Sequence, residues 1–185
     1  DQYDSILPVY VLDERYLQED RWGIIKTGAF RLQFLLESLN DLHEYLQEKG
    51  SQLLFVKGLP EKILPELASK YDASEVFATK EYTSEELIIE QKVSEHISLS
   101  LHHGQTLYHP EDLNFSINQL PDVFTKFRKR VEKYAKIRDL IPTPEAIKSP
   151  DFEANNIPSL EDLGFQKPEQ DKRTAIQFKG GAMAA

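Results

Sequence analysis

The sequence predicts an α/β fold, an open parallel, doubly wound (Rossmann-like) sheet with helices on both faces. Short apolar runs rich in β-branched and aromatic residues alternate along the chain with segments whose apolar residues recur every three or four positions. This alternation is typical of parallel strands joined by right-handed helical crossovers. A chain of 185 residues with 40% hydrophobic and 29% charged residues has enough apolar material for one buried core.

The first part of the chain predicts two strands and two helices. The apolar run 6–12 is typical of a buried strand. Apolar residues at helical spacing within 28–49 predict an amphipathic helix, which Gly50 ends. The run 53–56 predicts a second strand, and a short helix is expected after it, with Ile63, Leu64 and Leu67 on one side and Pro65 near its first turns.

The second part predicts two further strands, 76–78 and 97–102, with a helix between them. The alternation of apolar and polar residues in 97–102 favours a position near the sheet edge. The helix is expected to start at a Thr-x-x-Glu capping box formed by Thr83 and Glu86. Its expected buried side consists of Leu87, Ile88 and Val93.

A last helix is predicted from Pro121-Asp122 to about Arg138, and it carries an unusual charge. Its apolar stripe is expected to be Val123, Phe124, Phe127, Val131, Tyr134 and Ile137. Residues 122–138 hold seven basic and two acidic side chains, a net charge of +5, so the net charge of −9 for the whole chain leaves −14 on the remainder. This helix is interpreted as a solvated or interdomain face, or as electrostatic support for a polyanion.

Several kinds of site are excluded by the residues. The absence of cysteine excludes disulfides, thiolate metal sites and cysteine nucleophiles. The chain also lacks the phosphate-binding motifs Gly-x-x-x-x-Gly-Lys-Ser/Thr and Gly-x-Gly-x-x-Gly and the nucleophile motif Gly-x-Ser-x-Gly. His102, His103 and His109 are close in sequence, but neighbours on a strand point to opposite faces. We therefore expect no metal site and no catalytic residue in this chain.

The composition also bears on location. The acidic total excludes a wholly basic nucleic-acid module. There is no apolar run of about 18 residues, and the chain opens on polar residues, so neither a membrane span nor a signal peptide is predicted. We expect a cytoplasmic protein without a membrane partner.

Loops after parallel strands give the best candidate site, because ligands settle outside the carboxyl ends of such strands. The loop 13–27 contains Arg15, Trp22, Lys26 and Thr27, and the loop 79–83 contains Lys80, Glu81 and Tyr82. A carboxylate beside aromatic rings can accept two hydrogen bonds from a flat heterocycle that stacks on the rings. Two plainer interpretations stay open: an exposed loop acid at Glu81, and a helix cap at 26–28.

An ordered set of motifs runs along nearly the whole chain. They are 26–31 (KTGAFR) with 34–39 (FLLESL), 63–68 (ILPELA), Lys80-Glu81 with 84–86 (SEE), 106–109 (TLYH) with Asp112-Leu113, 120–129 (LPDVFTKFRK) and 157–164 (IPSLEDLG). Together they resemble the DASH branch of the cryptochrome and photolyase family.

The resemblance implies the N-terminal α/β antenna domain of a deoxyribodipyrimidine photo-lyase, a carbon–carbon lyase, or of a blue-light receptor. In that family a helical C-terminal domain binds FAD and repairs cyclobutane pyrimidine dimers, and the DASH branch is associated with single-stranded DNA. The antenna chromophore is often methenyltetrahydrofolate. By resemblance Glu81 is the carboxylate that binds the pterin of this chromophore. The same pocket is expected to be bordered by Lys80, Tyr82, Trp22, Lys26 and Thr27.

The resemblance also implies the domain limits. Residues 1–139 are expected to form the antenna domain without the family's first strand, 140–175 an interdomain linker, and 176–185 the start of the FAD-binding domain. Ala182 stands where the family usually has an acid after two glycines. Residues that contact flavin or lesion are expected beyond residue 185, so the chain alone is expected to be a monomer without repair activity that docks its own helical domain.

Three alternatives to a repair enzyme's antenna remain open at this point. One is a generic nucleotide-binding α/β domain, the second is a domain that serves only as a docking surface for its helical neighbour, and the third is part of a signalling photoreceptor without repair activity.

Overall fold

The computed structural model describes residues 3–169, 173 and 179–184. Its contacts divide the chain into two compact units, Asp1–Tyr71 with Pro144–Ala185, and Asp72–Thr143. In each unit two parallel strands pair directly, and a helix connects them. The predicted α/β class with parallel strands is therefore confirmed. The expected boundary at residues 175 and 176 lies outside the described residues.

The first unit contains β1 (Val9–Asp13), α1 (Ala29–Glu48), β2 (Leu54–Gly58) and α2 (Pro60–Tyr71). The two strands pair in parallel, with Val9 opposite Leu54. Strand β1 starts three residues later than the apolar run predicts. Pro8 has no N–H to give to the ladder and contributes only its carbonyl oxygen, which accepts from Leu54 N at 2.9 Å. The side chain of Ile6 is 61% exposed.

Helix α1 supplies the core of this unit, as its spacing predicts. Leu32 is fully buried, and Leu39 packs with Leu12 of β1 and Phe55 of β2. The apolar spacing predicts burial of six leucines, of which Leu35 is half-buried and Leu42 is 42% exposed, and the other four are buried: Leu32, Leu36, Leu39 and Leu46. Three- and four-residue spacing thus identifies the face that covers the sheet.

The proline-rich segment after residue 143 packs on the first unit. Ile147 N donates to Lys49 O at 2.8 Å, and Ser149 Oγ donates to Ile6 O at 2.7 Å. Farther along, Leu160 is buried against Leu32. The segment therefore wraps the unit and completes its core.

Two glycines near the end of the chain lie against α1. Gly180 N donates to Glu37 Oε2 at 2.7 Å, and Ala182 N donates to Asp41 Oδ2 at 2.9 Å. A Cβ at Gly180 would overlap the carbonyl oxygen of Phe34, and one at Gly181, where φ is +111°, would lie 2.7 Å from the Asp41 side chain. Only glycine fits this close approach.

Replacing Gly180 by alanine is therefore expected to lift this segment from α1. We expect hydrogen exchange of the Ala182 amide, followed by NMR, to accelerate at least about tenfold because that amide is protected by its bond to Asp41. Gly28→Ala is the matched control, since φ there is −79° and nothing lies within 4 Å of an added Cβ. Equal exchange in the two variants would contradict the prediction.

The second unit contains β3 (Glu75–Thr79), α3 (Ser84–Ser94), β4 (Ser98–His102) and α4 (Phe124–Tyr134). The strands pair in parallel from Glu75 opposite Ser98 to Thr79 opposite His102. Both predicted strands are confirmed, each with small changes at its ends. In the part of the chain that the structure describes, no helix has both the length and the hydropathy to cross a bilayer.

Two details of α3 differ from the prediction. Thr83 occupies the N-cap, but its side chain makes no capping hydrogen bond, so the capping box is wrong. Leu87 and Ile88 are 44% and 53% exposed, whereas Val93 is buried. Val93 and the half-buried Ile89 are four residues apart and share the inner face of the helix. Leu87 and Ile88 therefore point away from that face.

Helix α4 is shorter than predicted, and most of its expected stripe is exposed. It ends because Ala135 is extended, with φ −83° and ψ 141°, so Ile137 lies outside the helix. Val131 is buried and Phe127 packs edge-on against Phe115 at 6.2 Å. The expectation of burial is wrong for the rest of the stripe: Val123, Phe124, Tyr134 and Ile137 are all more than half exposed.

Candidate functional site

Two loops leave the sheet of the second unit side by side. Residues 80–83 follow β3, and residues 103–109 follow β4. Lys80 N donates to His102 O at 2.9 Å, which continues the ladder by one residue beyond the strands. Because the strands are parallel and in register, both loops lie at their carboxyl ends, where ligands of such sheets bind.

The Glu81 carboxylate is held between these loops. Its own backbone N donates to Glu90 Oε1 of α3 at 2.8 Å, and its Oε2 accepts from Gln105 Nε2 at 2.6 Å. The side chain is half-buried, and that of Gln105 is exposed. A carboxylate has about four lone-pair directions, so acceptor capacity remains for a ligand.

A directional chain of hydrogen bonds fixes the neighbouring Tyr82. Thr106 Oγ1 donates its single hydrogen to Tyr108 O at 2.7 Å, so it accepts from His103 Nε2, also at 2.7 Å. His103 Nδ1 then accepts from the Tyr82 hydroxyl. The neutral imidazole is thus assigned its Nε2–H form, and the phenol ring of Tyr82 is held in place beside Glu81.

Lys80 and His103 lie against the Tyr82 ring, and His109 packs on His103. The Lys80 ammonium lies 5.9 Å from the centre of the Tyr82 ring, and the His103 and His109 rings meet edge-on at 5.1 Å. Strand β4 ends at His102, so His103 belongs to the loop and not to the strand as the sequence argument assumed. Among the described residues, no group of three or more His, Asp or Glu side chains is arranged to hold a metal ion.

An arginine anchors the loop that follows this cluster. Arg138 donates to Asp112 through Nε at 2.6 Å and through Nη2 at 2.9 Å, and to Glu111 at 3.2 Å. The hydrogen bond from Arg138 is the main reason that the pKa of Asp112 lies below its ordinary value. This contact ties the loop to the chain beyond α4.

Replacing Arg138 by methionine is expected to raise the pKa of Asp112 toward the ordinary aspartate value, about 3.9. Since the pKa in the fold is depressed, the stabilisation is present above the unfolded pKa and is lost as the pH falls through the folded pKa. A carboxyl NMR titration measures the change. Arg128→Met is the control, because Arg128 pairs with Glu132 at 3.6 Å; if Arg138→Met leaves the Asp112 titration unchanged, the assignment fails.

The basic residues of α4 lie mostly on one side of the helix. Lys126, Lys129 and Lys133 are exposed and share a face through three- and four-residue spacing, and Arg130, which stacks over the Phe115 ring at 4.5 Å, is next to them at the same spacing. Arg128 pairs with Glu132. Contact with another domain and electrostatic support for a polyanion both stay predictions for this basic face.

Trp22 belongs to the first unit and is displayed on a tight turn. The Asp20 carboxylate accepts hydrogen bonds from Trp22 N at 2.7 Å and from Ile24 N at 3.0 Å. Glu19 and Ile25 form an isolated antiparallel β-bridge across the turn. The indole is 72% exposed, with the Arg21 guanidinium 4.9 Å from its ring centre. The turn therefore holds an accessible aromatic surface in a defined place.

Lys26 and Thr27 have different surroundings on the same loop. The Lys26 ammonium lies 5.4 Å from the Tyr16 ring centre, and Thr27 is 6% exposed, with its N donating to Tyr16 O at 3.2 Å. Thr27 is thus part of the loop's support, whereas Lys26 is exposed.

A three-residue ion cluster holds the end of β1. Arg15 donates to both Asp13 oxygens through Nε, at 2.8 and 3.0 Å, and through Nη2 at 2.6 Å. It also reaches both Glu61 oxygens, at 3.1 and 2.9 Å. These bonds, those to Asp13 foremost, raise the pKa of Arg15. The cluster joins β1 to α2 and is structural.

The structure thus brings together three of the six predicted site residues, Lys80, Glu81 and Tyr82. The other three, on the loop after β1, belong to the first unit. Sequence reasoning missed the second wall of the site, Gln105 with His103. Parallel pairing of β3 with β4 was the available signal, because it places the loop after β4 beside the loop after β3.

Comparison with known proteins identifies the family. The family model for DNA photolyase matches residues 1–148. The chain belongs to the DNA photolyase family. It is 39% identical to the cryptochrome DASH of Gloeobacter violaceus over 182 residues, 95% of this chain and 36% of that protein. It is 40% identical to the cryptochrome DASH of Danio rerio, over 98% of this chain and 37% of that protein.

Solved structures of the photolyase family support the fold. A cryptochrome from Synechocystis sp. PCC6803 matches with a TM-score of 0.88 and 37% identity, over 97% of this chain and 38% of that one. A class III photolyase from Agrobacterium tumefaciens matches with a TM-score of 0.66 at 21% identity, over 86% of this chain and 32% of that one, which supports the fold alone. The chain spans about a third of the length of these relatives.

Proposed function

We propose that the chain is the light-antenna part of a DASH-type cryptochrome or photolyase and that it binds methenyltetrahydrofolate at Glu81. The observation that supports this most is the half-buried Glu81 carboxylate, which Gln105 and the Glu90-bound backbone hold beside a fixed Tyr82 ring. A fixed acceptor next to an aromatic face suits a flat heterocycle with adjacent N–H groups.

The residues present fit the folate. Glu81 accepts hydrogen bonds from the pterin, Tyr82 offers a ring for stacking, and the exposed Lys80 ammonium attracts the carboxylates of the glutamate tail. When bound, the folate supplies near-ultraviolet absorption and passes its excitation to a flavin. The chain's own task is to bind and orient it.

Trp22, Lys26 and Thr27 are proposed as cofactor-binding residues on the loop after β1 of the first unit. Trp22 presents an exposed, fixed indole, and Lys26 presents a second exposed ammonium. Thr27 is buried, so we propose that it acts by holding the loop. All three follow β1, whose carboxyl end is a preferred place for ligands.

We further propose a longer protein whose helical domain binds FAD and repairs cyclobutane pyrimidine dimers in single-stranded DNA, as a cytoplasmic monomer. A signalling role is the alternative, because a relative from Arabidopsis thaliana that is 39% identical, over 89% of this chain and 39% of its own length, is described as the blue-light photoreceptor PHR2. Light-dependent repair of dimer-containing oligonucleotides by the longer protein supports repair. Its absence, with FAD bound, supports signalling.

Energy transfer in the longer protein tests the antenna role. Excitation in the folate band is expected to drive flavin photoreduction in the wild type, and Glu81→Gln is expected to remove that contribution. Direct excitation of the flavin is expected to drive flavin photoreduction equally in the wild type and in the variant. Folate-band excitation that is equally effective in the variant would count against Glu81 as the binding residue.

A further inference from the structure

We infer that Glu81 and Gln105 form one hydrogen-bonding row that selects 2-amino-4-oxopteridines over 2,4-dioxo and 2,4-diamino heterocycles. The inference rests on the proposed function, because it concerns the same site. It adds Gln105 as a specificity-determining residue and a reason why a pterin, and not a flavin-like ring, suits the site.

The orientation of Gln105 follows from its partner. Its Nε2 lies 2.6 Å from Glu81 Oε2. An ionised carboxylate only accepts hydrogen bonds, so the amide must present its NH2 group, and not its carbonyl oxygen, to Glu81. One of the two amide hydrogens is used in this bond, and the second is available to a ligand.

The row therefore reads donor, acceptor, acceptor: Gln105 Nε2, Glu81 Oε2 and Glu81 Oε1. A 2-amino-4-oxopteridine presents the complementary edge, with the C4 carbonyl as acceptor followed by N3–H and the 2-amino group as donors. In a 2,4-dioxo ring a second carbonyl replaces the amino group, so that a ligand acceptor would face the acceptor Glu81 Oε1. In a 2,4-diamino ring the 4-amino donor would face the donor Gln105 Nε2. The N3 atom of that ring is an acceptor and would face the acceptor Glu81 Oε2.

The row is held in place before any ligand arrives. Glu90 binds the backbone of Glu81, and the loop that carries Gln105 is fixed on either side of it by His103 and Thr106. Pre-organised polar groups lose little entropy on binding and strongly reject a ligand whose groups face them with the same polarity. We expect discrimination of about 100-fold or more.

Fluorescence titration of the 185-residue chain at neutral pH tests this with three probes: pterin, lumazine (2,4-dioxo) and 2,4-diaminopteridine. The wild type is expected to bind pterin about 100-fold more tightly than either of the others. Gln105→Met is expected to weaken pterin about tenfold, because the 4-oxo group loses its donor, and to bind 2,4-diaminopteridine more tightly than the wild type does, because the opposing amide hydrogen is removed. Gln91→Met, on the exposed surface of α3, is the matched control and is expected to behave as wild type.

The outcomes separate the two proposals. Equal affinity for pterin and lumazine, or an unchanged pterin affinity in a folded Gln105→Met variant, overturns the selection row and leaves folate binding at Glu81 standing. Binding of none of the three probes by the wild type overturns the proposed function and the row together. Circular dichroism of Gln105→Met is expected to match the wild type, since the side chain is exposed.

Discussion

Replacing Arg15 by methionine is expected to lower the free energy of unfolding of the first unit by about 3 kcal/mol. The Asp13 side chain is 4% exposed and would lose every hydrogen bond that the guanidinium supplies. Glu61, at 11% exposed, would lose its two as well. A charge left buried without its partner is costly, and the value is at the low end of the usual range because Arg15 itself is 37% exposed.

Urea unfolding followed by circular dichroism measures this loss. Arg128→Met is the matched control, because Arg128 and Glu132 are both more than half exposed and such pairs contribute less than about 1 kcal/mol. Adding Asp13→Asn to Arg15→Met is expected to restore part of the stability, because it removes the buried charge. Similar losses in the two single variants would show that the cluster is not structural.

Replacing Glu81 by glutamine is expected to weaken binding of methenyltetrahydrofolate by about 100-fold or more. The carboxylate offers two acceptors to the pterin, whereas the amide offers one and presents an NH2 group to a ligand donor. Gln105 would also face an amide in place of its charged partner. Isothermal titration of the variant measures the affinity.

Two controls accompany the Glu81 variant. Glu95→Gln makes the same change of charge at the exposed C-terminal end of α3 and is expected to leave folate affinity unaltered. The melting temperature of the Glu81 variant is expected to stay near that of the wild type, because the backbone contact with Glu90 does not involve the carboxylate. An affinity within a factor of two of the wild type would mean that the folate binds elsewhere.

The fold was predictable where one face of an element covers a core. Leu32, Leu36 and Leu39 recur at helical spacing and are all buried. The prediction failed where local pattern competes with backbone chemistry or with tertiary contacts. Pro8 delays β1 because it lacks an N–H, and the extended Ala135 ends α4 before Ile137.

The site was half predictable for a related reason. Lys80, Glu81 and Tyr82 follow a strand directly, so the general rule for parallel sheets finds them. The bond from Gln105 to Glu81 joins residues 24 positions apart, and it depends on the register of β3 with β4. No periodicity in the sequence encodes that register. The hydrogen-bond chain from Tyr82 through His103 depends on it in the same way.

Absorption difference spectroscopy of the chain titrated with 5,10-methenyltetrahydrofolate tests whether the chain binds a folate chromophore at Glu81. We predict a saturable change at a single site, with a shifted near-ultraviolet band that Glu81→Gln abolishes and Glu95→Gln retains. A folate spectrum that stays identical to that of the free compound at every protein concentration would contradict folate binding by the chain.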